Sequence, residues 1–137
     1  MTFKSEEDKI RKNKAITAFV NVFGGSFYKL SENDIDFKVF DKEKNLIAYA
    51  EVVTRLRSMR MAYPLPIEVR RLLKLTDRRF NPIIIWCCED GIIYTKVDDG
   101  ISGAIKFGGN KPLGIPTDNE LTIYLDKSKS FKYVRFI

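Results

Sequence analysis

The chain contains no histidine. That absence removes serine-hydrolase triads, two-histidine zinc sites, histidine-based nucleases and zinc deaminases, each of which needs an imidazole as base or ligand. Cysteine is scarce: Cys87 and Cys88 are adjacent, inside the apolar stretch that begins at Ile83. They lack the separation a zinc knuckle or a redox pair requires, so they read as core thiols of a reducing compartment. No apolar run approaches the ~20 residues of a membrane span. The opening Met1-Thr2-Phe3-Lys4-Ser5-Glu6-Glu7-Asp8 holds no apolar signal region. The expected location is therefore cytoplasmic, with no membrane partner. Internal repeats, low-complexity tracts and long linkers are missing too. What remains for catalysis is carboxylate, amine, hydroxyl and thiol chemistry.

A chain of 137 residues fits one domain, and a domain of that size buries roughly two-thirds of its unfolded surface without covalent staples. Its 24 lysines and arginines exceed its 18 acids by six. The excess is local. Between Arg55 and Arg79 stand Arg55, Arg57, Arg60, Arg70, Arg71, Lys74, Arg78 and Arg79 against only Glu68 and Asp77, and the rest of the chain balances. Clustered positive charge attracts a polyanion, and nucleic acid is the commonest one inside cells. A solvated helix face is the alternative reading of the same run.

Hydrophobic periodicity predicts a helix from Ser5 to Phe23, with Ser5 and Asp8 as a capping pair, Ile16, Phe19, Val20 and Phe23 as its buried stripe, and Gly24-Gly25 as its stop. A short strand is expected over Phe27 to Leu30. The next two runs read as a hairpin around Asp41-Lys42-Glu43-Lys44-Asn45. Antiparallel counting then sets Asp36 opposite Ala50 or Glu51, bringing two carboxylates to neighbouring strands. Pro64-Leu65-Pro66 reads as the entrance of a helix over Ile67 to Phe80. Its apolar face would be Val69, Leu72, Leu73 and Phe80, and its outer stripe Arg70, Lys74 and Arg78. Ile83 to Cys88 is expected to be a central strand, followed by Ile92 to Val97, Ala104 to Phe107, Leu121 to Leu125 and Phe131 to Phe136.

That order, with Asp36 on the second strand and Ala50-Glu51-Val52-Val53 on the next, resembles the PD-(D/E)XK nuclease superfamily. The resemblance implies an α/β (α+β) restriction-endonuclease-like fold: a central mixed sheet flanked by helices, ordered αβββαββ. Its core would span about residues 5–97, with a β extension over 98–137. In such nucleases an aspartate and a following acid bind Mg²⁺ (Mn²⁺ can substitute), and a lysine two residues beyond the acid orients the attacking water. Asp36 matches the aspartate and Glu51 the acid, but Val53 stands at the lysine position. Two local cations could compensate: Lys38, on the Asp36 face of its strand, and Arg55, continuing the Glu51 face. Lys38 is preferred because arginine is a poor proton acceptor. On this reading Val53→Lys would set an amine on the strand face of Glu51.

The resemblance implies an endonuclease acting on double-stranded DNA, of a kind found as small stand-alone proteins in phages and mobile elements. Arg55, Arg57, Arg60, Arg70, Lys74 and Arg78 would grip the backbone, and a homodimer remains open. The alternative is a catalytically inactive descendant serving as a nucleic-acid-binding or protein-assembly module, which Val53 favours. Asp36 and Glu51 also read as ordinary acids on an exposed sheet face. Asp34, Glu6 and Glu7 are possible helpers. Trp86 and the phenylalanines read as core, and Tyr28, Tyr49, Tyr63 and Tyr133 as candidate base-stacking residues with nothing to choose among them.

Overall fold

The computed structural model describes residues 3–31, 34–77, 80–97, 103–108 and 120–137. The fold is mixed α+β, with two α-helices among the described residues and a mixed multistranded sheet. Helix α1 spans Phe3–Asn21, followed by β1 (Ser26–Lys29), β2 (Phe37–Phe40) and β3 (Leu46–Thr54). A single 3-10 turn at Met59–Met61 leads to β4 (Leu65–Glu68) and α2 (Val69–Thr76). Strands β5 (Pro82–Cys87), β6 (Gly91–Lys96), β7 (Gly103–Gly108), β8 (Glu120–Leu125) and β9 (Lys132–Arg135) follow.

Six strands form the main sheet in the order β1-β2-β3-β5-β6-β9, and β4-β8-β7 form a second. Strands β3 and β5 run parallel, while the other paired neighbours are antiparallel. The parallel pair requires a crossover, and the segment from Arg55 through α2 supplies it. Helix α1 lies on one face of the main sheet: its Ala15, Ile16, Phe19 and Val20 pack with Phe37, Val39, Ala50, Val52 and Ile85. Facing the other side, Val53, Ile84, Trp86 and Ile93 pack against Leu65 and Ile67 of β4, Leu75 of α2 and Leu125 of β8. The indole N–H of Trp86 donates to the Pro66 carbonyl at 2.8 Å, tying the two sheets together.

The chain leaves α1 through Gly24, whose φ of 74° suits a residue without a side chain. At Gly25 a Cβ would collide with the Phe40 carbonyl oxygen and the Phe23 ring. The expected hairpin is present, with Phe37 paired to Ala50 and Lys38 to Tyr49. Asp41 organises its loop by accepting the N–H groups of Glu43 and Asn45, both at 2.9 Å.

The segment read as one helix over Ile67 to Phe80 divides. Leu65–Glu68 is a strand paired with β8, and only Val69–Thr76 is helical. Its apolar face also differs: Leu75 is buried, whereas Leu73 and Phe80 are exposed. A strand partner that lies nearly sixty residues away in sequence overrides the local helix signal of Pro64-Leu65-Pro66. Once β4 takes Leu65 and Ile67, the remaining helix turns Arg71 and Leu75, one turn apart, toward the sheet.

Candidate functional site

Strand β3 extends past the start of β2, because the register that pairs Phe37 with Ala50 leaves residues 51–54 beyond the β2 ladder. Asp36 sits at this step, and its carboxylate takes over from the missing backbone partner. Its Oδ2 accepts the Val52 N–H at 2.8 Å, while its own N–H donates to Glu51 Oε1 at 3.0 Å. The two acids are thus laced into one another's backbone, and both are buried. The hairpin count brings them together as expected, at the end of the ladder and not on an exposed sheet face.

Both helices reach this step. From α1, Lys12 Nζ lies 3.0 Å from Asp36 Oδ1 and 3.6 Å from Asp8 Oδ2. Asp8 also accepts the Thr54 hydroxyl at 2.9 Å, so the helical acid that approaches is Asp8, in place of Glu6 or Glu7. From α2, the Arg71 guanidinium donates to Glu51 Oε2 at 2.6 Å, to the Val52 carbonyl at 2.7 Å and to Glu68 Oε1 at 3.3 Å. Its Nη2 is 3.8 Å from Asp36 Oδ2. One planar fork therefore spans a strand carbonyl and two carboxylates, a geometry that a lysine cannot reproduce.

Around this pair lies a cleft of about 280 Å³, whose cationic wall is Lys12, Arg70, Arg71 and Lys74. Its acidic wall is Asp34, Asp36, Glu51 and Glu68. Burial pushes the Glu51 carboxyl above its ordinary value, and the neighbouring Asp36 adds to the push against the opposing pull of Arg71. For Arg71 burial alone would lower the pKa, but Glu51, Asp36 and Glu68 outweigh it and the net shift is upward. The guanidinium stays charged, and Glu51 holds a proton more readily than a solvated carboxylate.

A scan against protein-family models, a search of curated proteins and a search of solved structures each return no match.

Lys38, the expected cation, and the amine found in contact with Asp36 are different residues. Lys38 pairs across the strand with Tyr28 and Tyr49, and the amine beside Asp36 is that of Lys12. Arg71 was visible only as one cation in a basic run. The signal that singles it out is helical spacing, three residues after Glu68 and four before Leu75, on the inward face. Val53 points into the core among Ile35, Met59, Trp86 and Leu75, not into the cleft.

The expected DNA-gripping cations separate. Arg55 is committed to its own loop, donating to the Ala62 carbonyl at 2.9 Å and the Pro64 carbonyl at 3.3 Å. Burial lowers its pKa. Arg57 and Arg60 are exposed at the surface, while Arg70 and Lys74 line the cleft. Arg78 lies outside the described residues.

Both cysteines are buried, and burial pushes the Cys88 thiol up to about 12, which removes it as a nucleophile near neutral pH. No helix among the described residues is long and apolar enough to cross a membrane.

As a test of metal fit, no three His, Cys, Asp or Glu side chains among the described residues cluster into a metal cage. Two carboxylates on one cleft suit a hard cation that retains most of its waters, as Mg²⁺ does, and not one enclosed by protein. The donor type matches such an ion, while each of the four carboxylate oxygens already accepts a hydrogen bond, from Lys12, Val52, Asp36 or Arg71.

Proposed function

We propose that this chain is a metal-dependent nuclease of the PD-(D/E)XK kind, acting on DNA phosphodiester bonds, with a restriction-endonuclease-like core. The observation that carries the reading is the convergence on one cleft of Asp36, just before β2, Glu51 of β3 and the Lys12 amine of α1. The family pattern needs two acids and an amine at one place. Helix α1 brings the amine that Val53 does not provide.

Asp36 and Glu51 are the residues that would hold Mg²⁺ or Mn²⁺, and such an ion supplies charge neutralisation at the phosphate and acidification of water. Each acid keeps its orientation through a backbone N–H, from Val52 and Asp36 respectively. Lys12 has three N–H donors. One faces Asp36 and one leans toward Asp8, leaving a third for a phosphate oxygen. Arg71 fixes Glu51 by bonding the adjacent Val52 carbonyl as well. Arg70 and Lys74, on the cleft wall, add favourable field for a polyanion.

The test is plasmid nicking with Mg²⁺ or Mn²⁺ and a chelator control, alongside calorimetric Mg²⁺ titration. Wild type should nick only with metal, and Asp36→Asn, Glu51→Gln and Lys12→Ala should each lower the rate by about 10²–10⁴-fold. A folded wild type that neither binds metal nor nicks at high concentration overturns the proposal.

A second reading, a non-catalytic nucleic-acid-binding module, is favoured by the Arg71 contact to Glu51 at 2.6 Å. Lys12 and Arg71 already offset the charge of the acid pair, so a dication enters only by weakening one of these contacts. DNA binding without metal binding or cleavage would select this reading.

A further inference from the structure

Of the four tyrosines that the sequence offers as stacking residues, the tertiary structure separates two from two. Tyr63 and Tyr133 share a hydroxyl–hydroxyl hydrogen bond, and the Tyr63 ring packs on Phe131 at a centroid distance of 5.8 Å. Tyr63 is thereby committed to the core cluster, and Tyr133, though 44% exposed, is tied to it through its hydroxyl. Tyr28 and Tyr49 instead flank Lys38 in a row across three strands: Tyr28 is paired with Lys38 between β1 and β2, and Lys38 with Tyr49 between β2 and β3. Directly paired residues project from the same sheet face, with Cβ atoms about 5 Å apart. Their neighbours Phe27 and Phe37 project to the other face and pack edge to face beneath the sheet, at 5.4 Å.

The row has an open end and a closed end. Tyr28, on the edge strand, is 64% exposed, Lys38 is half-buried, and Tyr49 rests against the core shared by the two sheets. Lys38 is two residues from Asp36, and Tyr49 is two residues from Glu51. The row therefore lies about 7 Å from the acid pair, measured along the strands. An exposed ring, a cation beside it and a phosphate-handling cleft one short step away match one nucleotide repeat of an extended strand: base on the ring, phosphate on the amine, next phosphate in the cleft.

We propose that Tyr28 and Lys38, backed by Tyr49, form a stacking and phosphate subsite for single-stranded DNA leading into the Asp36–Glu51 cleft. This deepens the nuclease reading and rests on it for the role of the cleft. Duplex DNA fits the row poorly, because its bases stack on each other and present no free face to Tyr28. Binding affinity should fall less steeply with salt than for a duplex making the same number of phosphate contacts, since single strands release fewer counterions per contact.

The experiment measures fluorescence anisotropy of labelled oligothymidylate and of the matching duplex with the full chain in excess chelator, so that cleavage plays no part. Wild type should bind the single strand more tightly than the duplex. Tyr28→Ala should weaken single-strand binding about tenfold while leaving duplex binding within twofold, and Tyr28→Trp should restore it. Lys38→Ala should lower the salt slope for the single strand by about 0.7. Equal loss on both DNAs, no loss in Tyr28→Ala, or no single-strand binding by wild type overturns the subsite. Cleavage of the labelled single strand and of the duplex with Mg²⁺ is scored separately. Stacking-dependent binding without cleavage of either DNA keeps the subsite and removes the nuclease reading, whereas cleavage with indifferent Tyr28 variants does the reverse.

Discussion

Arg71 on α2 meets Glu51 on β3 through a 2.6 Å contact between Nε and Oε2, and the same guanidinium bonds the Val52 carbonyl beside it. The side chains of both residues are largely withdrawn from solvent, at 18% and 8% exposure. The pair is the tie between the short second helix and the sheet strand that carries the acid. Its energetic weight lies less in attraction than in what either partner would suffer alone.

Arg71→Ala should therefore destabilise the fold by about 3–5 kcal/mol, the usual cost of leaving a buried charge without its partner. Removing both charges, as in Glu51→Gln combined with Arg71→Met, should recover much of that loss. Urea denaturation of the two variants checks this. An Arg71→Ala variant within about 1 kcal/mol of wild type, the scale of an exposed ion pair, would show that water screens the contact.

The pH dependence has a definite sign. Burial raises Glu51 above 4.5, so the folded state keeps a proton that the unfolded chain has released. The stability that Glu51 contributes is fully present below 4.5 and declines as pH rises through its folded pKa. Asp41, held low chiefly by the Asn45 backbone N–H, works the other way, with stability lost as pH falls. The difference between wild type and Glu51→Gln isolates the first effect. Melting temperatures of the two proteins across pH 4 to 8 should diverge in slope above about 4.5, the ordinary carboxyl value. Parallel curves would contradict the raised pKa.

Placing a lysine at position 53 should not create an active site. Val53 is packed among Ile35, Trp86 and Leu75, and Val53→Lys would bring an ammonium into that cluster without a partner. The expected loss is about 3–5 kcal/mol with no gain in nicking. Thermal melts and plasmid assays on this variant decide the matter, and a stable variant with raised activity would mean that the Val53 position opens onto the cleft.

The basic residues should divide by role. Arg55→Ala removes donors to the Ala62 and Pro64 carbonyls and should lower the melting temperature while DNA affinity holds. Arg70→Glu with Lys74→Glu should weaken DNA binding for all sequences and flatten its salt dependence, with little change in melting. Salt titrations of binding by the two variants separate these outcomes. Reversed behaviour would move the binding surface to the Arg55 loop.

Much of the scaffold is legible from residue order. Glycines stop α1, the alternation on either side of Asp41-Lys42-Glu43-Lys44-Asn45 makes a hairpin, and its count brings Asp36 to Glu51. These features depend on neighbours in sequence, where hydrophobic period and turn chemistry act directly. The lack of histidine and the clustered charge likewise belong to the sequence alone.

The partners of the acid pair were decided only by the tertiary structure. Lys12 precedes Asp36 by 24 residues, and Arg71 follows Glu51 by 20. No local period links them. Leu65–Glu68 became a strand because β8, nearly sixty residues later, offered an edge to pair with, and that choice rotated α2 until Arg71 faced inward. Tyr28, Lys38 and Tyr49 form a row for the same reason: strand register sets non-local neighbours, and register follows from which faces the whole chain can bury together.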